Sequence, residues 1–482
     1  MAMHGQALKA RMFVGGRWSE TGHDGHEVEN PANEDIIAVT PAGTEATAGA
    51  ALEAARRAQP AWAALPAIER GRAVHALADA VRDEAELLAR IVVAEQGKPL
   101  DQARGEVAAA ETFLRYAAEQ ARRIEGEILP SDVPDEEIQI RRLPHGVVVG
   151  LTAWNYPLAL AARKLGPALV AGNAFILKAH EFTPLSGLAL AALAERAGLP
   201  AGLLNVVTGD GRTLGRALVE GADMVTMTGS TRAGREIYAA GAEQIKILRL
   251  ELGGKAPFIV MEDADIDRAV DAAVIARFTN CGQICTCNER MYLHTAIADQ
   301  FLEKFTARAA ALTIGDPLNS PNLGPKVSRG EVEKVEAMTV ASIAAGAEVL
   351  LRGGPLHEGA FAKGHWMAPT VLRAASNDVP VMRDEVFGPV VAAMTVDSFE
   401  AALALANDSA FGLSAYVWTR DQRRLMAAAA RLNFGEIYCN RVNGELVQGF
   451  HSGWGQSGLG GEDGKHGFDG YLRKKTMYLN WA

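Results

Sequence analysis

Three of the chain's four cysteines, Cys281, Cys285 and Cys287, crowd into "FTNCGQICTCNER" (278–290). Sulfurs this close can hold a metal, close a disulfide, fill a core or supply a nucleophile. A structural zinc site takes about four ligands, usually from paired C-x₂₋₄-C or H-x₃₋₅-H units. Cys281-x₃-Cys285-x-Cys287 contains no such partner pair, and the nearest histidine, His294, falls in a predicted strand. No metal is expected. Four cysteines in 482 residues do not make a disulfide scaffold, so a reduced, cytoplasmic chain is expected. Two readings remain. One is buried packing, the usual fate of a free cysteine. The other is a nucleophile, for which a thiol suits because part of it is ionised at neutral pH.

A nucleophile needs partners from elsewhere in the chain. "LELGGKAP" (250–257) ends a predicted strand on a carboxylate, Glu251, beside two glycines that let the backbone pass close to a ligand. "TAWNYPL" (152–158) puts Asn155 between a strand and a helix, where open α/β sheets bind ligands. Taken singly, Glu251 reads as a surface acid and Asn155 as a helix cap.

The elements that must position these groups alternate. β-Branched runs at 146–154, 174–179, 203–209 and 224–230 are separated by segments of helical spacing, among them 157–171 and one opening near Thr183-Pro184. A second set follows at 256–261, 290–295, 389–396 and 413–419. Strand–helix alternation predicts doubly wound parallel sheets, and the length predicts more than one domain. Helical spacing also covers 47–65 and 68–95. The segment 125–144, "EGEILPSDVPDEEIQIRRLP", and the C-terminal "KKTMYLNWA" read instead as extended arms, expected to pair with another chain rather than with their own domain.

Composition narrows the partners. Hydrophobic residues make up 49%, charged ones 22%, and the formal charge is −10, which disfavours nucleic acid and anionic membranes. The N-terminal "MAMHGQALKARMF" lacks the apolar stretch of a signal peptide. The most apolar windows are broken by Arg163 and Lys164 and by Glu195 and Arg196. Neither reaches the roughly 20 apolar residues of a membrane span.

Seven ordered segments, "WNYPL", "GNAFILKAHEFTPLS", "TGSTRAG", "LELGGKAP", "FTNCGQICTCNER", "RDEVFGPV" and "SGLGGEDGKHG", together resemble the aldehyde dehydrogenases. Among these the chain is most similar to lactaldehyde and glycolaldehyde dehydrogenases, through "GQICTCNER" and "GFHSGWGQSGLGGEDGKHG". The resemblance implies an α/β fold of two doubly wound parallel-sheet domains plus a β-arm for oligomerisation. It divides the chain into an NAD-binding domain (1–124 and 145–252), a catalytic domain (253–463) and the arm (125–144 and 464–482), in a homodimer or homotetramer. By the same resemblance Cys285 attacks a small aldehyde, Asn155 and the Cys285 N–H stabilise the oxyanion, and Glu251 activates water to release the acid. Relatives that pass the acyl group to coenzyme A lack this carboxylate, so Glu251 favours hydrolysis.

The implied cofactor is NAD. Its pyrophosphate would lie at "GSTRAG", where Gly229 and Ser230 open a helix, with Gly234 one turn on. Lys178 and Glu181 would hold the adenosine ribose, and Glu181 would repel a 2′-phosphate. Here "KAHE" replaces the commoner "KPSE", and a cationic His180 would tolerate that phosphate. Glu385 would hold the nicotinamide ribose beside Phe387. Trp154 and Leu252 belong to the same set, as does Gly211, which permits close approach of the adenine. "GDGRTLG" (209–215) misses the G-x-G-x-x-G spacing by one residue. Tyr156, Ala159 and Arg163 share one helix face, which with His451 would line a short polar substrate tunnel. Such a tunnel suits a hydroxyaldehyde, or alternatively a semialdehyde such as succinate semialdehyde.

Overall fold

The computed structural model describes residues 7–20 and 23–482. Its first large sheet has eight strands. Val147–Leu151 lies centrally, Ala174–Lys178 and Leu204–Val207 follow on one side, and Met224–Thr228 and Ile247–Glu251 on the other, all parallel. The chain therefore reverses its direction of winding between Val147–Leu151 and Met224–Thr228. A crevice opens at such a point because the connecting helices leave in opposite directions. Short antiparallel strands close both edges. The five parallel strands are buried on both faces except at Thr228 and at Ile247 and Leu248, and so carry continuous apolar runs rather than alternation.

The second large sheet has seven strands, with Ala256–Val260 between Asn288–His294 and Ser414–Trp418. All its pairs are parallel except Glu348–Leu351 with Thr370–Arg373. Each sheet has its own apolar core: one gathers residues from Met12 to Leu252 with Phe468, Tyr471 and Leu472, and two further clusters cover 256–438. The fold is the α/β architecture of parallel-sheet domains that the alternation predicts. A smaller sheet of His23–Asn30, Asp35–Ala42 and Leu8–Lys9 has no counterpart in the sequence reading.

The helical spacing at 68–95 is two helices, Ala67–Asp83 and Ala85–Gln96, parted at Glu84. Both bury apolar residues in the same core, so the pattern runs on through the break. The helix Leu100–Glu119 was not recognised, because small alanines carry much of its buried face. The arms pair first with each other: Leu472–Asn480 lies antiparallel along Glu136–Pro144, which also pairs with Glu127–Pro130. Residues 464–471 do not extend with that strand. Gly464–Asp469 is helical, and Phe468 and Tyr471 pack into the first core.

Candidate active site

Cys285 sits in the turn ahead of Asn288–His294, where the chain has just passed through left-handed backbone at Asn280 (φ 51°) and Cys281 (φ 55°). The Gln283 side chain ties this turn down, donating to Asn280 O (2.9 Å) and accepting from Val327 N (3.0 Å). A Cβ at Gly254 would come within 2.3 Å of the Cys285 carbonyl oxygen, so that glycine permits the approach of the two segments. The three cysteines part company here. Cys281 and Cys287 are fully buried, and burial pushes their thiols up to about 11 and about 12. Cys285 alone of the three lines the large cavity between the sheets. Its thiol is raised by burial and pulled back by the His451 ring.

The cavity, about 1680 Å³, lies where C-terminal strand ends of the first sheet face N-terminal strand ends of the second. Glu251 ends its strand just behind the lining. Its side chain is 4% exposed, and neither carboxylate oxygen has a hydrogen-bond partner among the described residues. Burial raises its pKa to about 7, against the pull of His451. A carboxylate poised there can take a proton from water at neutral pH.

Asn155 follows the central strand and precedes the helix Pro157–Ala171, which opens on a proline. Its Nδ2 donates to Gln283 O at 2.9 Å, tying it to the cysteine turn. Its carbonyl accepts from Lys98 Nζ (2.7 Å) and from Asn280 Nδ2 (3.2 Å). Lys98 in turn pairs with the buried Glu106, whose other oxygen accepts from the N–H groups of Leu158 and Ala159 and caps the helix. Sequence reasoning missed Lys98 and Glu106. The available signal was a glutamate on the alanine-rich face of Leu100–Glu119.

The cofactor candidates come together with one exception. Trp154, Lys178, Glu181, Gly211, Gly229, Ser230, Leu252, Glu385 and Phe387 all line the cavity. Gly234 does not. A Cβ there would meet Leu252 Cδ1 at 2.6 Å, so this glycine packs the helix Thr231–Ala242 onto its sheet. Ser230 caps that helix, accepting from Ala233 N at 3.2 Å. Lys178 Nζ lies 2.9 Å from Glu181 Oε1. Burial raises the Glu181 carboxyl, but the Lys178 charge leads the groups that outweigh it and hold it below its ordinary value. Burial depresses His180 to about 4, so its ring is neutral at physiological pH and adds no cation.

Glu385 accepts from Gly254 N (2.8 Å), and burial raises it to about 7. A Cβ at Gly253 would strike its carboxylate at 2.6 Å. A helix N-terminus, a Lys–Glu pair and a carboxylate over a glycine cradle are the donor and acceptor set that a nicotinamide dinucleotide requires. The residues present fit that group.

Glu289 holds the loop that carries Glu385. Fully enclosed, it pairs with Lys255 (2.9 Å) and Arg277 (2.9 Å) and accepts from the N–H groups of Val386 and Phe387. Burial alone would raise it, but Lys255 and Arg277 bring it down to about 2. Glu289→Gln should destabilise the fold by about 3–5 kcal/mol, since it strands two buried cations. The lost contribution is one that is full above pH 4.5 and fades as pH falls towards about 2. Urea unfolding at pH 7 and pH 3 checks both statements: the gap between variant and parent should narrow at the lower pH.

The substrate-facing candidates divide. Tyr156, Ala159 and Arg163 line the cavity together, as helical spacing requires. The Arg163 guanidinium, however, is not free: Nε donates to Asp463 Oδ1 (2.9 Å), Nη2 to Asp463 Oδ2, and the group stacks over Phe113 at 5.1 Å. His451 does not line the cavity at all. Its ring is buried, with Nε2 3.7 Å from Glu251 and Nδ1 3.2 Å from Glu436. Glu445, which the sequence reading passed over, lines the cavity instead.

Two parallel sheets whose strand ends face each other across a cavity that a cysteine lines, with a buried carboxylate behind the lining, define a class. The aldehyde dehydrogenase family pattern matches residues 18–477, and the chain belongs to that family. It is thus an aldehyde dehydrogenase that works with a nicotinamide cofactor. The chain is 44% identical to a 3,6-anhydro-alpha-L-galactose dehydrogenase of Vibrio sp., over 98% of this chain and 99% of that one. It is 42% identical to a lactaldehyde dehydrogenase of Escherichia coli, over 94% and 95%. Among solved structures, a 3,6-anhydro-L-galactose dehydrogenase in complex with NADP superposes with a TM-score of 0.96 at 46% identity, covering 98% of this chain and all of that one. Among the described residues no helix is long and apolar enough to cross a membrane.

Proposed function

We propose that the protein oxidises a small neutral hydroxyaldehyde, such as lactaldehyde or glycolaldehyde, to its acid through a thiohemiacetal and a thioester on Cys285. One observation carries the reading: Cys285 faces the cavity, while Glu251, near pKa 7 and without hydrogen-bond partners among the described residues, ends the strand beside the lining residue Leu252. The thiolate adds to the aldehyde carbon, and the carbonyl π electrons move to oxygen. The second Asn155 N–H and the Cys285 backbone N–H are the donors for that oxyanion. When bound, the nicotinamide supplies the hydride acceptor that turns the adduct into a thioester. Glu251 then takes a proton from water as it attacks the thioester, and the C–S bond breaks.

The lining argues for a neutral substrate. Arg163 already carries Asp463 as its counter-ion, and Glu445 adds a negative charge to the wall. An aldehyde with its own carboxylate would meet net repulsion, so succinate semialdehyde is disfavoured. The same polar wall supports a second reading, a bulkier sugar-derived hydroxyaldehyde like the anhydrogalactose of the Vibrio relative. Turnover efficiency across glycolaldehyde, lactaldehyde, 3,6-anhydrogalactose, succinate semialdehyde and propanal separates these readings. Succinate semialdehyde ranking first would overturn both.

NAD is the proposed cofactor over NADP, because Glu181 is held ionised and His180 neutral. A carboxylate accepts from a free 2′-hydroxyl and repels a 2′-phosphate. Glu181→Ser should narrow the NAD/NADP efficiency ratio by about tenfold, the worth of roughly 1.4 kcal/mol of charge repulsion. Equal efficiency with both cofactors in the unaltered protein would refute the preference.

A further inference from the structure

His451 has more acid around it than packing needs. Its ring is 3% exposed, and three carboxylates approach it: Glu436 at 3.2 Å and Glu445 at 3.7 Å on Nδ1, and Glu251 at 3.7 Å on Nε2. They come from separate elements, namely the strand Glu436–Cys439, the loop after it and the end of Ile247–Glu251. The backbone of His451 is clamped to Glu462 by two hydrogen bonds, N–H to O at 2.9 Å and the reverse at 2.7 Å. This clamp brings the charges of Glu462 and Asp463 to bear on the ring, while Arg163 on the helix Pro157–Ala171 opposes them. Glu436 is itself fixed by the Tyr438 hydroxyl, which donates to its Oε2 at 2.8 Å. The remaining neighbour is the Cys285 thiol, which the ring pulls down in pKa.

A neutral imidazole offers one N–H donor, too few for a thiol and three carboxylates. An imidazolium offers two and cancels part of their charge. Burial and Arg163 act against that charge, but the attraction of Cys285 and Glu436 overcomes them and lifts the ring well above its ordinary value. The thiol has the converse problem. Burial and the Glu445 charge raise it, and His451 is the first group pulling it down.

We propose that His451 is a catalytic residue that donates a hydrogen bond to the Cys285 thiolate as an imidazolium, and that Glu436 is the positioning residue that keeps it charged and aimed. As the pair forms, the thiol proton leaves to solvent through the cavity and the imidazolium keeps its own. The sulfur lone pair then attacks the aldehyde carbon. When the C–S bond of the thioester breaks, the same N–H receives the departing thiolate. Glu251 is left free for water, and its closeness to the imidazolium restrains a carboxyl that burial would push higher still. The inference rests on Cys285 being the nucleophile.

The test needs no aldehyde. Alkylation of the full-length protein by iodoacetamide is followed from pH 5 to 10, with peptide mass locating the label. In the unaltered protein the label should fall on Cys285. In His451→Gln the half-point of the rate profile should rise by at least about one pH unit, making alkylation at pH 7 about 10-fold slower. Glu436→Gln should move it the same way by less, and carries the test should His451→Gln not fold. An unmoved half-point in the folded variants overturns the proposal, even if turnover falls, because His451 would then be acting on the aldehyde. Label on another cysteine in the unaltered protein overturns the nucleophile reading itself, which is a separate result.

Discussion

Cys285→Ala should abolish NADH formation from every aldehyde, by on the order of 10⁴-fold or more, the scale on which loss of a nucleophile lands. Binding of the dinucleotide should persist. The residues that would hold it come from other segments, and removing one sulfur from a cavity wall disturbs none of their hydrogen bonds. Cys281→Ala and Cys287→Ala are the controls. Both thiols are fully buried and raised by burial to about 11 and about 12, so neither ionises near neutral pH. These variants should lose some stability, as a small core truncation does, and keep their turnover. Rates with saturating NAD and glycolaldehyde, alongside cofactor binding by calorimetry, decide the matter. Substantial turnover in Cys285→Ala would sink the assignment.

The parts of this site that were legible in the sequence are those in which chemistry and backbone constraint share a short segment. Glu251 stands three residues from the glycine that faces the Cys285 carbonyl, and Ser230 stands at the head of the helix it caps. Buried parallel strands were legible for a similar reason, since burial on both faces leaves an unbroken apolar run. The missed pieces depend on closures that no local pattern records. Arg163 and Asp463 meet across 300 residues, so helical spacing could aim the arginine at the cavity without revealing that its charge was taken. The family resemblance assigns His451 to the lining, at a position where relatives often carry an aromatic ring, whereas in the structure the ring lies among Glu251 and Glu436. Gly234 misled in another way. A glycine in a phosphate-binding motif and one under a packed helix look the same until the Leu252 side chain is seen against it. The arms were read correctly as extended, but strand character does not say which edge pairs with which.

Glu251→Gln should separate the two halves of the reaction. In the unaltered protein the carboxyl has a pKa of about 7, raised by burial and restrained by His451. As a base it must be ionised, so hydrolysis of the thioester should weaken as pH falls below about 7. Glutamine keeps the shape and removes the base. Attack by Cys285 does not require that base if the thiolate is held by other groups. The variant should therefore show a burst of NADH close to one equivalent per site, followed by a steady rate about 10²–10⁴-fold lower, the usual worth of a general base. The slow phase should also lose its rise through pH 7, since the titrating group is gone. Stopped-flow absorbance at saturating NAD reads burst and steady rate in one trace, and acid quench followed by intact mass should find the acyl group still on Cys285. Loss of the burst as well would mean that Glu251 acts before the thioester forms, by taking the proton of the thiol. In that case the carboxylate, rather than the imidazole behind it, would govern the nucleophile.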